Sequence, residues 1–246
     1  MIMLEENKSL VLFSGGQDST LCLMLALSKY DEVFTIGFNY NQTHKIELQC
    51  RENILKKIES NFPKFKNKLK GDFVINLDEI NKITKSSLLG NKGFKIENGL
   101  PNTFIPGRNL LFINYAAIFA YQNKIKNIIG GMCQTDYSGY PDCRSETIES
   151  QEETINKGME QNFKILTPLM NLNKEETWSL AFNDFGLEAI KIIIEDTHTC
   201  YKGNRKNKHV WGYGCNDCPA CELRSKGWNS FIKNNPIIQD KLDVLS

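Results

Sequence analysis

Short apolar runs alternate along the chain with longer stretches in which apolar positions recur at helical spacing. Leu10-Val11-Leu12-Phe13 predicts a buried strand. After the polar turn that begins at Ser14, the series Leu21, Leu23, Met24, Leu25 and Leu27 predicts an amphipathic helix. Glu32 to Phe38 is a second strand whose polar, aromatic tip, Asn39-Tyr40-Asn41-Gln42, suits a ligand crevice. A helix from about His44 to Ser60 has Ile46, Leu48, Ile54, Leu55 and Ile58 on a rough apolar face, and Phe73 to Leu77 is a third strand. From about Asn81 to Pro106 periodicity is lost, which predicts a functional lid or a disordered segment. Arg108 to Phe119 is apolar almost all round and predicts a helix buried at the centre of the fold. Asn127 to Gly131 is a fourth strand ending in a glycine pair, followed by the polar turn Gln134 to Arg144 and a helix from Glu146 to Met159. Phe163 to Thr167 is a fifth strand, and a helix runs from Lys174 through Phe185. This alternation predicts an α/β fold, a doubly wound parallel sheet over residues 1–195 with ligands at the carboxyl ends of its strands. A small C-terminal appendage follows over residues 196–246, closed by a short helix near Leu223 to Phe231.

Charge adds an exclusion. The 246 residues carry 30 basic and 29 acidic side chains, so no bulk field draws the chain to nucleic acid or to a membrane. Met1 to Lys8 is short and acidic rather than basic-then-apolar, and no apolar stretch approaches a membrane span; the expectation is a cytoplasmic protein. Of eight cysteines, Cys215, Cys218 and Cys221 are compressed at spacings that let thiolates converge on a tetrahedral ion in a reducing compartment. The fourth ligand is expected to be Cys200, ahead of His198 and His209; softness and tetrahedral preference favour Zn²⁺ over an iron–sulfur cluster, and the lack of a general base nearby favours a structural over a catalytic zinc. Cys22, Cys50, Cys133 and Cys143 read as small buried residues. The basic run Lys202, Arg205, Lys206, Lys208 and His209 reads as a solvated loop, with Trp211 and Tyr213 packing on the zinc knuckle.

The candidate chemistry centres on Ser14-Gly15-Gly16-Gln17-Asp18-Ser19-Thr20. Glycines let backbone approach an anion, the first turn of the helix offers free N–H groups, and the hydroxyls of Ser14, Ser19 and Thr20 add donors: a phosphate cradle. No lysine follows the glycines, which excludes the common phosphate loop, and no Gly-x-Gly-x-x-Gly is present. Ser-Gly-Gly-x-Asp-Ser resembles instead the signature of ATP pyrophosphatases, which adenylate a substrate by cleaving ATP between the α and β phosphates. The ATP stretch is Leu12, Phe13, Ser14, Gly15, Gly16, Gln17, Asp18, Ser19, Thr20, Leu21 and Cys22. Asp18 is expected to cap the helix and bind Mg²⁺. Arg108, a cation at a helix start, opposes the dipole's preference and hints at an anionic ligand or acidic partner. Asp136 and Asp142 are candidates for Mg²⁺ or for a heterocycle's N–H groups, and Lys174 for a mobile charge reaching the polyphosphate. Asp18, Ser19, Lys174 and Arg108 are the candidate catalytic residues.

Four motifs in order, Leu12 to Thr20, Pro106-Gly107-Arg108-Asn109, Thr135-Asp136-Tyr137-Ser138-Gly139-Tyr140-Pro141-Asp142-Cys143-Arg144, and the cysteine cluster followed by Leu223-Arg224, resemble the 7-cyano-7-deazaguanine synthase family over nearly the whole chain. The resemblance implies that 7-carboxy-7-deazaguanine, ammonia and ATP give the nitrile, with one structural zinc per chain, a homodimer, and substrate contacts at Arg108, Asp136, Tyr137 and Asp142. A carboxylate is a poor electrophile; its adenylate is a good one, and a second adenylation, of the amide oxygen, allows loss of AMP and formation of the nitrile. Two rivals remain at this stage: a pyrophosphatase that modifies tRNA through Cys133 or Cys143, and an ATP-binding zinc module without turnover.

Overall fold

The computed structural model describes residues 3–40, 46–84, 95–97, 100–135 and 140–243. Five parallel strands form the sheet: β1 (Glu5–Leu12), β2 (Glu32–Asn39), β3 (Leu69–Asn76), β6 (Ile125–Ile129) and β7 (Lys164–Leu166), in the order β3-β2-β1-β6-β7. After the short helix α3 (Ile80–Ile83), the intervening β4 (Ile96–Glu97) and β5 (Leu100–Pro101) pair with each other, inside the stretch where periodicity fails. The sequence places the start of β1 five residues late, because Glu5 to Lys8 is too polar to read as strand.

Helices cover both faces of the sheet. On one face, α1 (Gln17–Lys29), α2 (Ile46–Asn61) and α6 (Lys174–Asp196) bury Leu23, Ile54, Trp178 and Ile193 against Val11 and Val33. On the other, α4 (Arg108–Gln122) and α5 (Ser145–Met159) bury Ile113, Ala117 and Ile148 against Leu10, Ile36 and Ile128. Strand order reverses between β1 and β6, so the crevice outside their carboxyl ends is the ligand position of a doubly wound fold.

Helix α4 departs from expectation. It is not enclosed at the centre: Ile113, Ala116, Ala117 and Ala120 are buried, while Ile118 is 52% exposed and Leu111, Tyr115 and Phe119 are half-buried. The sheet covers one side of the helix, α5 and the turn Pro141–Cys143 flank it, and a stripe through Asn114, Ile118 and Gln122 is exposed.

Gly186, at φ 72° and ψ −164°, interrupts α6 and marks the helix end that the sequence places at Phe185. Beyond residue 196, β8 (Lys208–His209) pairs with β9 (Gly212–Tyr213), and α7 (Pro219–Asn234) and α8 (Pro236–Asp243) follow. Helix α7 is longer than its apolar core Leu223 to Phe231 indicates, because Pro219 starts it early. Trp228 and Phe231 of α7 join Trp178 of α6 in one aromatic cluster, so the segment after 196 shares the core of the sheet domain.

Candidate active site

The turn after β1 is built around two glycines. Gly15 has φ +92°, a conformation that L side chains rarely adopt, and a Cβ there would stand 2.5 Å from the Glu47 carbonyl oxygen at the start of α2. Gly16 caps α1 with no side-chain hydrogen bond, which leaves the first-turn N–H groups to a ligand. Ser19 Oγ donates to the Gly16 carbonyl at 3.1 Å and stands 3.1 Å from Ser14 Oγ, so the two hydroxyls fix the turn. Thr20 differs from expectation: it is fully buried and donates to the Gly16 carbonyl at 2.8 Å, which removes it as a ligand donor. Leu21 and Cys22 are likewise buried behind the turn as helix core, where Cys22's thiol is pushed well up by burial.

Asp18 does not cap α1. Its Oδ2 receives the Lys174 ammonium at 2.7 Å, while its Oδ1 is buried without a hydrogen-bond partner among the described residues. Lys174 is only 9% exposed, which corrects the expectation of a mobile charge: it is fixed at the cradle. Two contacts hold it there. Asn173 and Glu176 form a capping box at the start of α6, and Gly227 of α7 lies so close that a Cβ would stand 2.5 Å from Lys174 Cβ. Gly131, after β6, lets the first turn of α1 approach; its Cβ would stand 3.2 Å from Asp18.

The segment Thr197–Tyr201 closes the far side. His198 N–H donates to the Gly15 carbonyl at 3.1 Å. Fully buried Arg224 holds this segment by donating to Thr197 Oγ1, Thr199 Oγ1 and the carbonyls of Ile193 and Trp211. Burial lowers its pKa to about 10, so it remains cationic at neutral pH.

These parts line one cavity of about 860 Å³, shared by Ser14, Gln17, Asp18, Ser19, Arg108 and Lys174. Phe38 and Phe112 stack at 4.2 Å on its wall, beside Tyr40, whose hydroxyl accepts from Arg108 at 3.4 Å. The flat apolar wall and the cation beneath it suit a planar, acidic heterocycle. Asp142 is placed otherwise than expected: it is buried and accepts the Asn109 N–H at 3.0 Å, so it caps α4 and neutralises the helix end that Arg108 opposes. Asp136 and Tyr137 lie outside the described residues.

Cys200, Cys215, Cys218 and Cys221 bring their sulfurs within 4.8 Å of one another, with 3.9 Å between Cys215 and Cys221. A tetrahedral Zn–S distance of about 2.3 Å requires sulfurs about 3.8 Å apart, so the set fits a zinc ion. Both histidines are engaged elsewhere: His198 with the Cys200 carbonyl at 3.2 Å, His209 with the Gly214 carbonyl at 3.1 Å and stacked on Trp211. The basic run is also committed locally, with Lys202 paired to Asp217, Lys208 to Glu195, and Arg205 donating to backbone carbonyls.

Sequence reasoning missed Glu47. It is half-buried on the cavity wall, and burial pushes its carboxyl up to about 7, against the pull of Arg108. An acidic residue in the first turn of a helix is ordinary, so nothing in its sequence position distinguishes it.

The family described as "Queuosine biosynthesis protein QueC" matches residues 8–232. The chain is 49% identical over 233 residues to the 7-cyano-7-deazaguanine synthase of Parvibaculum lavamentivorans, covering 94% of this chain and 98% of that protein. It is 50% identical to the enzyme of the same name from Polaromonas naphthalenivorans, with 92% and 95% covered. Among solved structures, a 4-thiouridine synthetase in complex with RNA and ATP is similar at a TM-score of 0.49 and 15% identity, over 95% of this chain and 52% of that one.

Proposed function

The chain belongs to the QueC family of queuosine biosynthesis proteins, and from that premise we propose that it converts 7-carboxy-7-deazaguanine and ammonia to 7-cyano-7-deazaguanine at the expense of ATP. The observation that carries this reading is the contact between Lys174 and Asp18 inside the cavity that also holds the uncapped turn and Arg108. That arrangement concentrates donors and positive charge where pyrophosphate would depart, and places them beside a stacking wall for the acid.

The N–H groups of the first turn of α1 hold the phosphates, and Lys174 stabilises charge on the leaving pyrophosphate. Asp18 positions Lys174 through Oδ2; its unpartnered Oδ1 fits a Mg²⁺ ion, which would neutralise phosphate charge. Arg108 holds the substrate carboxylate toward the α-phosphorus. Attack of that carboxylate forms the acyl adenylate and releases pyrophosphate; ammonia displaces AMP to give the amide. The amide oxygen is adenylated in a second round, and loss of AMP leaves the nitrile. Positioning and charge stabilisation suffice, and no covalent nucleophile is required.

Zinc on the four cysteines supports the site from behind, because Cys200 follows His198, whose N–H holds Gly15. A gathered set of thiolates also fits a reducing, cytoplasmic setting. We assign residues 196–246 as the zinc-binding unit. A second copy of the chain is expected on the exposed side of α4 marked by Ile118, beside the sheet edge where Phe119 packs on Phe73 of β3.

The test is AMP formation from radiolabelled ATP. AMP appearing with the acid and ammonium alone supports the reading; AMP appearing only when tRNA is added favours direct tRNA modification, and its complete absence favours a binding module.

A further inference from the structure

The proposed reaction needs a nucleophile that neutral water does not supply freely. Like a lysine ammonium, the ammonium ion holds its proton at neutral pH and then has no lone pair. A site that uses ammonia benefits from a group that attracts the cation and takes its proton beside the acyl carbon.

Glu47 is a carboxylate on the wall of the proposed reaction cavity. It lies in the first turn of α2, with its own carbonyl against Gly15 of the phosphate turn, and it lines the same cavity as Ser14, Asp18 and Arg108. Among the described residues, no hydrogen bond or ion pair engages its carboxylate, in contrast to Asp18, Asp72 and Asp142, which are all bonded. The groups that face it electrostatically are Arg108 from the start of α4, Tyr40 from the tip of β2 and Cys50 from its own helix. The rings of Tyr40, Phe38 and Phe112 line the same wall, with the Arg108 guanidinium 5.9 Å from the ring centres of Tyr40 and Phe112.

We propose that Glu47 is a catalytic residue that binds the incoming ammonium ion in this cavity and accepts its proton. The inference rests on the reaction proposed above. The N–H bond breaks toward the carboxylate, and the freed lone pair forms the C–N bond at the acyl carbon. The C–O bond to AMP breaks with its electron pair going to AMP, and the surplus proton on nitrogen passes to solvent. Burial raises the carboxyl to about 7, which makes Glu47 a stronger base than an ordinary carboxylate while leaving it largely ionised in mildly alkaline solution.

The experiment separates adenylation from amide formation in Glu47→Gln. Acid-dependent exchange of pyrophosphate into ATP reads adenylation; amide and nitrile release reads the use of ammonia. At pH 7 the loss in amide formation is expected to exceed the loss in exchange by tenfold or more, within the range of about 10²–10⁴-fold for general acid–base catalysis. The excess narrows at pH 9, where free ammonia is plentiful, and Glu47→Asp restores part of the rate at pH 7. Equal losses in both steps, or an excess unchanged between pH 7 and pH 9, overturn the proposal. Should Glu47→Gln fail to fold, the unsubstituted chain decides. Its KM for total ammonium is expected to fall by no more than about twofold from pH 7 to pH 8.5, as Glu47 completes its ionisation, although free ammonia rises about tenfold per pH unit. A KM that instead tracks free ammonia overturns the assignment. An unsubstituted chain that shows no exchange with the acid overturns the proposed reaction itself, and this step with it.

Discussion

Lys174 and Asp18 are 156 residues apart in sequence and 2.7 Å apart in space, and the pair carries two separable consequences. Asp18→Asn keeps the shape but leaves an ammonium that is 9% exposed without its counter-charge. Pyrophosphate release is expected to fall on the order of 10²–10³-fold. Stability falls by about 2 kcal/mol, below the cost of breaking a fully buried pair because Asp18 is partly exposed. A urea titration beside an exchange assay reads both, and full exchange in the variant would remove Asp18 from the site. Glu47 makes an opposite, pH-dependent contribution. Its folded pKa of about 7 lies above the ordinary 4.5, so the protonated form favours folding. That contribution is fully present below pH 4.5 and is lost as pH rises through 7. Glu47→Gln is therefore expected to match the unsubstituted chain in urea midpoint near pH 4.5 and to exceed it at pH 8. Equal midpoints at both pH values would show that the site does not penalise the charge. Glycines, hydroxyls and cysteines at fixed spacing were legible from the sequence. The carboxylates were not: Asp18 meets its partner across the fold, Asp142 turns out to cap a helix, and Glu47 acquires its character only from what buries it.

At the scale of elements, two features give further tests. Gly186 has φ 72° and ψ −164°, with open space where a Cβ would go. Gly186→Ala therefore tests backbone strain alone, and a loss of about 1–3 kcal/mol is expected with AMP formation unaltered. A urea midpoint within error of the parent would show that α6 bends freely there. Helix α4 shows the limit of reading burial from composition. Its apolar residues run all round the helix, but the sheet buries one side, and periodicity cannot say whether the other side meets the same chain or another one. With a second copy on that face, Ile118→Asp is expected to shift the sedimenting mass from dimer to monomer. A parent chain that sediments as a monomer would refute this use of the face. The central strands β1, β2 and β6 were legible because their apolar runs are buried; edge strand β3 was legible only from Phe73 onward, and its polar start, the polar start of β1 and the short β4–β5 pair carry no such signal.

For the whole molecule, the cysteine segment is continuous with the proposed nucleotide site. Cys200 is joined to the phosphate turn through His198, Arg224 holds Thr197 and Thr199, and Gly227 sits against Lys174. Cys200, Cys218 and Cys221 belong to the same core as Trp178, Trp228 and Phe231, and Cys215 packs against it. Zinc in such a set contributes on the order of 10 kcal/mol to folding. Chelation, or Cys218→Ser, is expected to lower thermal stability in a single transition, with AMP formation and the tryptophan signals lost together. Undiminished AMP formation after complete removal of metal would disconnect the two regions. The same contacts order events during synthesis. A ribosome adding about 5–20 residues per second delivers the phosphate turn first and its partner lysine about 8–30 s later, with Arg224 and the last cysteine later still. Until then the turn lacks the ammonium that the proposed ATP cleavage uses, so under that proposal an unfinished copy spends no ATP.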